Sequence, residues 1–147
     1  MPIAYDARRT TTDVDAIFVP SDVVREAAMV VAEQLNLEPD WLNDGAKGFA
    51  PGNDSQQASV FEGQFLSVAV ASPRYLLAMK LLASRTDRDI DDIKTLYVLC
   101  GLSTAEQGVE ILESYYPARV IPARSHFLLL ELFPDELSSD RDLGLGR

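Results

Sequence analysis

The order of secondary structure along this chain limits its fold more than any other feature. Apolar alternation predicts a strand over 13–19, and a helical period follows over 22–35. Two further strands, 58–62 and 65–70, are joined at Gly63 as a hairpin. Only helical patterns come after them. This order predicts an α+β fold with a small mixed sheet packed against a helical C-terminal half.

The helical half begins at a clear signal, with Ser72 as the N-cap and Pro73 at the first helical position. Four helices are expected: one reaching about Ser84, one from about Asp87 to Gly101, one opened by a capping box at 103–106, and one over 123–132. Three strands make a thin sheet, so it either holds a strand that the pattern does not reveal or takes one from another chain.

Composition predicts one globular domain over residues 1–137, followed by a flexible tail at 138–147. The chain has 147 residues, 47% of them hydrophobic and 24% charged. No apolar run approaches the roughly 20 residues of a membrane helix, and charges interrupt the start of the chain where a signal peptide would be apolar. We therefore expect a cytoplasmic protein. The net charge of −10 argues against a broad DNA-binding surface, which would be basic.

The single cysteine and the single histidine give little indication of chemistry. Cys100 ends an apolar run and is interpreted as a buried, inert thiol. His126 lies beside a second apolar run, without another histidine or cysteine to join it, and is interpreted as structural.

Asp13 and Asp15 are the first candidates for a functional site. Alternate side chains of a strand share one face, so the two carboxylates would project together. Magnesium prefers oxygen ligands and often uses one or two carboxylates together with substrate phosphates. The spacing therefore suggests a Mg²⁺ site, although the same pattern also fits the solvated face of an ordinary strand.

Lys80 belongs to a second unusual group of residues, because it interrupts an otherwise apolar helix. Arg85 follows it, and Asp89 and Asp92 share a face of the next helix because they lie three residues apart. The group could hold a ligand. Equally, the acids could favour the positive end of their helix and pair with basic residues on the surface.

Three stretches of sequence carry a family resemblance: Arg9–Asp15, Trp41–Asn43 and Tyr75–Ile93. They are similar to the motifs R-x-T-x-D-x-D, W-L-N and Y-L-L-A-M-K…A-x-R…R-D-x-x-D-I. These motifs belong to the bacterial nucleotidyltransferase-like family related to the toxin component of abortive-infection toxin–antitoxin systems. The resemblance covers residues 8 to about 100 and implies a nucleotidyltransferase-like fold.

The resemblance also implies an activity, namely Mg²⁺-dependent transfer of a nucleotidyl group from an NTP to RNA or protein, with a toxin-type role. Asp13 and Asp15 would hold the metal and the nucleotide phosphates. Lys80 would contact phosphate or the transferred group, with Asp89 as a base or orienting acid. Thr12 and Arg85 would contribute to nucleotide binding. An antitoxin or a second copy of the chain would be the macromolecular partner.

The chain also departs from the family pattern. Members grip the nucleotide phosphates with Gly-Gly or Gly-Ser before the D-x-D strand, and residues 1–12 contain no glycine. Related folds often place a third carboxylate on a later strand, but 65–70 contains no acid and Glu62 lies at a turn. These departures keep a second reading open, in which the chain is a catalytically inactive binding or assembly module with this fold.

Overall fold

A computed structural model describes residues 12–83 and 89–134 of the chain. Over these residues the protein is a mixed α+β structure with five α-helices and two small sheets. Its residues group into two compact units, which meet in the sequence between Ala50 and Pro51. No helix in the described ranges is long and apolar enough to span a membrane.

The first unit contains a strand–helix–strand crossover. Strand β1 is Val14–Asp15, helix α1 is Ser21–Leu35 and strand β2 is Leu42–Asn43. The two strands are parallel, and such strands need a long connection of this kind. Helix α1 ends at Asn36, whose positive φ of 54° closes the last turn. Ala28 and Ala32 form the buried side of α1.

Three details of the first unit differ from the sequence predictions. β1 covers two residues of the predicted 13–19, because β2 offers it only two pairing positions. β2 lies in a stretch for which the sequence analysis predicts no strand. Helix α1 begins at Ser21, one residue earlier than predicted, and Pro20 occupies the cap position without a side-chain hydrogen bond.

The second unit begins with the predicted hairpin. Strand β3 is Ala58–Glu62 and strand β4 is Ser67–Val70, paired antiparallel with an irregularity between Ser59 and Phe61. β4 is shorter than predicted at its start. The strands form two separate two-stranded sheets in the described residues, so the expected single mixed sheet is wrong there.

Four helices complete the second unit: α2 is Pro73–Ala83, α3 is Ile90–Leu99, α4 is Ala105–Tyr115 and α5 is Ala123–Leu132. Helix α2 packs against α3 and α4, and α4 packs against α5. Their shared core is made of fully buried aliphatic side chains: Leu77, Leu81, Ile93, Ile111, Leu112 and Leu129. The helical C-terminal half is thereby confirmed as far as residue 134.

Polar contacts fix both ends of α2. Ser72 accepts a hydrogen bond from the Tyr75 amide at 3.4 Å, as the predicted N-cap should. At the other end, the Ser125 hydroxyl donates to the Leu81 carbonyl at 2.7 Å, and the Arg124 guanidinium donates to the Leu82 carbonyl at 3.1 Å. The first turn of α5 therefore supplies hydrogen-bond donors to two carbonyls in the last turn of α2.

The capping box of α4 forms one residue later than predicted. Thr104 is the N-cap, and its hydroxyl accepts a hydrogen bond from the Gln107 amide at 3.3 Å. The Gln107 side chain accepts from the Thr104 amide at 3.1 Å. At the end of α3, Gly101 takes the positive φ of 68° that the predicted helix stop requires. The predicted tail at 138–147 lies outside the described residues.

Candidate functional site

The two aspartates of the first unit lie at the start of its parallel strand pair. The Val14 amide donates to the Trp41 carbonyl at 2.6 Å, and the Ala16 amide donates to the Asn43 carbonyl at 2.9 Å. This register places Asp15 beside Asn43. Asp13 comes one residue before the strand and is exposed, whereas Asp15 is half-buried. Thr12, also exposed, precedes them.

Asn43 is an oxygen-bearing neighbour that the sequence did not single out as a site residue. Its side-chain oxygen accepts a hydrogen bond from the Gly45 amide at 3.1 Å, which holds the turn after β2. Carboxylate and amide oxygens both suit Mg²⁺. The Trp-Leu-Asn motif was the only signal for Asn43, because its pairing with Asp15 depends on a strand register that sequence does not display.

Asp44, the next acidic residue of the first unit, forms a salt bridge. Its carboxylate pairs with the Arg25 guanidinium at 2.6 Å, joining the end of β2 to α1. The Arg25 side chain is 55% exposed, so the pair contributes little to stability. The described residues contain no group of three or more histidine, cysteine, aspartate or glutamate side chains placed to share a metal ion.

Lys80 and Asp89 meet in the second unit. The Lys80 ammonium donates to the Asp89 carboxylate at 2.9 Å and to the Asp92 carboxylate at 3.0 Å. All three side chains are about three-quarters buried, with 28%, 27% and 25% exposed. These contacts connect α2 to the beginning of α3. They add Asp92 to the predicted pair of Lys80 and Asp89. Its signal was the three-residue spacing from Asp89.

The environment of Lys80 keeps it charged. Burial lowers the pKa of the Lys80 ammonium, but the hydrogen bonds and negative charges of Asp89 and Asp92 outweigh burial and raise the pKa above its usual value. A lysine held protonated in this way serves as a cation and donor, and it is unsuited to act as a nucleophile or a base near neutral pH.

The predicted site residues thus fall into two groups, each described in its own unit. Asp13 and Asp15 belong to the first unit, and Lys80 and Asp89 belong to the second. Arg85 lies outside the described residues. Cys100 is half-buried, and burial raises the pKa of its thiol, which is unfavourable for a nucleophile.

Comparisons of this sequence with protein-family models, with curated proteins and with solved structures gave no significant match.

Proposed function

We propose that this protein is a nucleotidyltransferase-like enzyme that moves a nucleotidyl group from an NTP to RNA or to a protein. The observation that carries the proposal is the position of Asp13 and Asp15 at β1, with Asn43 beside Asp15 on β2. These oxygen donors suit Mg²⁺ bound together with the phosphates of a nucleotide. The resemblance to the toxin component of abortive-infection systems supports a toxin-type role, in which an antitoxin would bind the protein.

The proposed reaction is a displacement at the α-phosphorus of the NTP. An acceptor hydroxyl oxygen bonds to this phosphorus while the bond to the oxygen that bridges to the β-phosphate breaks. Pyrophosphate leaves, and the hydroxyl proton passes to a general base. When bound, Mg²⁺ would offset the charge of the phosphates. Asp13 and Asp15 would hold the metal ion, and through that ion the nucleotide phosphates.

Lys80 can take part in this reaction as a cation. An ammonium group has three hydrogen-bond donors, and the described contacts of Lys80 to Asp89 and Asp92 use two of them. The third can donate to a phosphate oxygen. The same contacts orient the Asp89 carboxylate within the second unit.

Calorimetric titration with each NTP tests the proposal. We expect binding that requires Mg²⁺ and that Asp13→Asn or Asp15→Asn weakens by about tenfold or more, or about 1.4 kcal/mol. Asp40→Asn is the matched control, because it removes the same charge from an exposed position of the first unit. Asp13→Asn and Asp15→Asn chains that both bound Mg²⁺–NTP as tightly as the wild type would contradict the assignment.

The acceptor is identified in a second assay. The chain is incubated with Mg²⁺ and an NTP labelled at its α-phosphate, together with RNA or with protein. Transfer of the label to one acceptor class, absent from the Asp13→Asn variant, is the expected result. Binding without transfer to either class would remove the enzymatic part of the proposal and retain the nucleotide site.

A non-catalytic binding or assembly module is the second candidate, and the charge around Lys80 favours it. One ammonium and two carboxylates leave this cluster with a formal charge of −1, which opposes the approach of a phosphate. A folded chain that binds no NTP at about millimolar concentration with Mg²⁺ would favour the module.

A further inference from the structure

The β3–β4 hairpin exposes both of its surfaces. Every residue from 58 to 69 is exposed, including Phe61 at 53% and Phe65 at 92%. An isolated two-stranded hairpin is at best marginally stable in water. A stable hairpin of this kind therefore needs a further strand or a covering surface.

The hairpin has two chemically different faces. Phe61 pairs with Val68, so these two apolar side chains share one face. The opposite face is polar, because the hydroxyls of Ser59 and Ser67 both donate to the Glu62 carboxylate, at 3.1 and 2.8 Å. Glu62 is the only charged residue between Ser55 and Pro73.

The two outer edges of the hairpin differ in regularity. The pairing of β3 with β4 skips Val60, so β3 carries a bulge, a feature that disturbs further pairing along a strand. β4 is unbroken over Ser67–Val70 and contains neither charge nor proline. In the described part of the chain it pairs only with β3. Its other edge therefore offers a regular row of backbone donors and acceptors.

The direction of these backbone groups follows from the turn. The Gly63 amide donates to the Leu66 carbonyl at 2.8 Å, which fixes Leu66 as a residue bonded across the hairpin. Bonding direction alternates along an antiparallel strand. Val68 therefore points its backbone groups towards β3, while Ser67 and Ala69 point theirs to the outer edge.

We propose that the outer edge of β4 pairs with β4 of a second copy of this chain, giving a four-stranded antiparallel sheet across a two-fold axis. Ser67 would pair with Ala69 of the other copy, and the two Val68 residues would lie opposite each other at the axis. Such a contact is self-complementary, as a two-fold interface must be. It also joins the apolar faces of the two hairpins through their Val68 side chains.

The charge of the hairpin is compatible with a second copy as the occupant. Each chain carries a net charge of −10, so two copies repel each other over most approaches. The hairpin contributes a single acid, and its carboxylate is held by two serine hydroxyls within its own strand pair. It is a surface at which two copies can meet without placing unpaired like charges at the contact. This inference does not depend on nucleotide binding.

Ala69→Pro tests the pairing directly, because it removes an outward amide while leaving the bonds to β3 in place. Light scattering should give the wild type twice the 16.2 kDa mass of one chain, and Ala69→Pro should weaken dimerisation by about tenfold or more. Ala69→Ser, which keeps the amide, should leave the dimer unchanged. A wild-type monomer at about millimolar concentration, or an Ala69→Pro dimer as tight as the wild type, would overturn the proposal.

Cross-linking gives a readout that does not require a proline in the strand. Opposed residues of a non-hydrogen-bonded antiparallel pair have Cα atoms about 4.5 Å apart, within disulfide range. In a Cys100→Ser background, Val68→Cys should form a covalent dimer under mild oxidation much faster than Phe65→Cys, an exposed position at the turn. Equal rates for the two variants would show that the copies do not meet at β4.

Discussion

Gly108 lies at a close contact between helices of the second unit. It lies in the middle of α4, where a larger residue would ordinarily improve the helix. A Cβ at this position would overlap the Tyr97 hydroxyl oxygen and lie 2.5 Å from a Leu129 methyl carbon. The Tyr97 hydroxyl donates to the Thr104 carbonyl at 3.1 Å, and its ring stacks on Phe133. The absent side chain of Gly108 lets α3, α4 and α5 approach one another.

We predict that Gly108→Ala destabilises the protein. Overpacking a filled core costs about 1–3 kcal/mol, which exceeds the roughly 1 kcal/mol that alanine gains over glycine in a helix. Urea unfolding at neutral pH measures the difference. Adding Tyr97→Phe removes one of the two clashing groups, so the double variant should be destabilised by less than the sum of the two single changes. A Gly108→Ala chain at least as stable as the wild type would contradict the packing argument.

At the scale of elements, Asp54 anchors the loop before the hairpin to the N-terminus of α2. Its carboxylate accepts from the Ser72 amide at 2.6 Å and from the Ser72 hydroxyl at 2.9 Å. Ser72 is buried. A second hydrogen bond connects the same loop to α2, because the Tyr75 hydroxyl donates to the Gly52 carbonyl at 2.7 Å. A negative charge at this end of α2 also interacts favourably with the helix dipole.

Asp54→Ala should therefore destabilise the second unit by about 1–3 kcal/mol, the range expected when a buried donor loses its acceptor. Chemical denaturation followed by circular dichroism measures the loss. Asp40→Ala provides the comparison, since Asp40 is exposed and should change stability by less than about 0.5 kcal/mol. Equal effects of the two substitutions would show that the Asp54 contacts contribute nothing.

The sequence predicted those elements whose signals are local. Gly63 and flanking alternation indicated the hairpin, and Ser72-Pro73 indicated the start of α2. β2 was not predicted because it is only two residues long and is defined by its pairing with β1. Helix α1 separates the two strands in the sequence. The candidate site shows the same difference between local and long-range signals. The spacing of Asp13 and Asp15 is visible in the sequence, whereas the position of Asn43 beside Asp15 depends on the register of β1 and β2. The sequence grouped Lys80 with Asp89 and Asp92, but the contact between them depends on how α2 packs against the start of α3.

At the scale of the whole molecule, several titrating groups favour their protonated forms in the fold. Burial raises the pKa of Tyr97 to about 12, and it also raises the pKa values of Tyr75, Tyr116 and Cys100. The pKa of Lys80 is raised by its two carboxylates against the effect of burial. In each case the folded state retains a proton that the unfolded chain releases at lower pH. Stability must then fall as the solution becomes alkaline.

We predict that the free energy of unfolding declines between about pH 9 and pH 12, by up to about 1.4 kcal/mol per pKa unit for each group, with Cys100 titrating first. The Lys80 contribution is fully present below its ordinary pKa of 10.5 and is lost as pH rises through the higher folded value. Urea titrations across this range provide the measurement. Tyr97→Phe should decline less steeply than the wild type, and parallel curves for the two would contradict the assignment of Tyr97.

The hydrogen bonds from Arg124 and Ser125 to the last carbonyls of α2 have a consequence for protein synthesis. The residues that cap α2 leave the ribosome more than forty positions after the carbonyls they satisfy, because Ser125 follows Leu81 by 44 residues. With translation at about 5–20 residues per second, these carbonyls of α2 wait for seconds before Arg124 and Ser125 can bond to them. Nascent chains arrested before residue 124 should therefore remain sensitive to protease around α2, and chains released beyond α5 should acquire resistance.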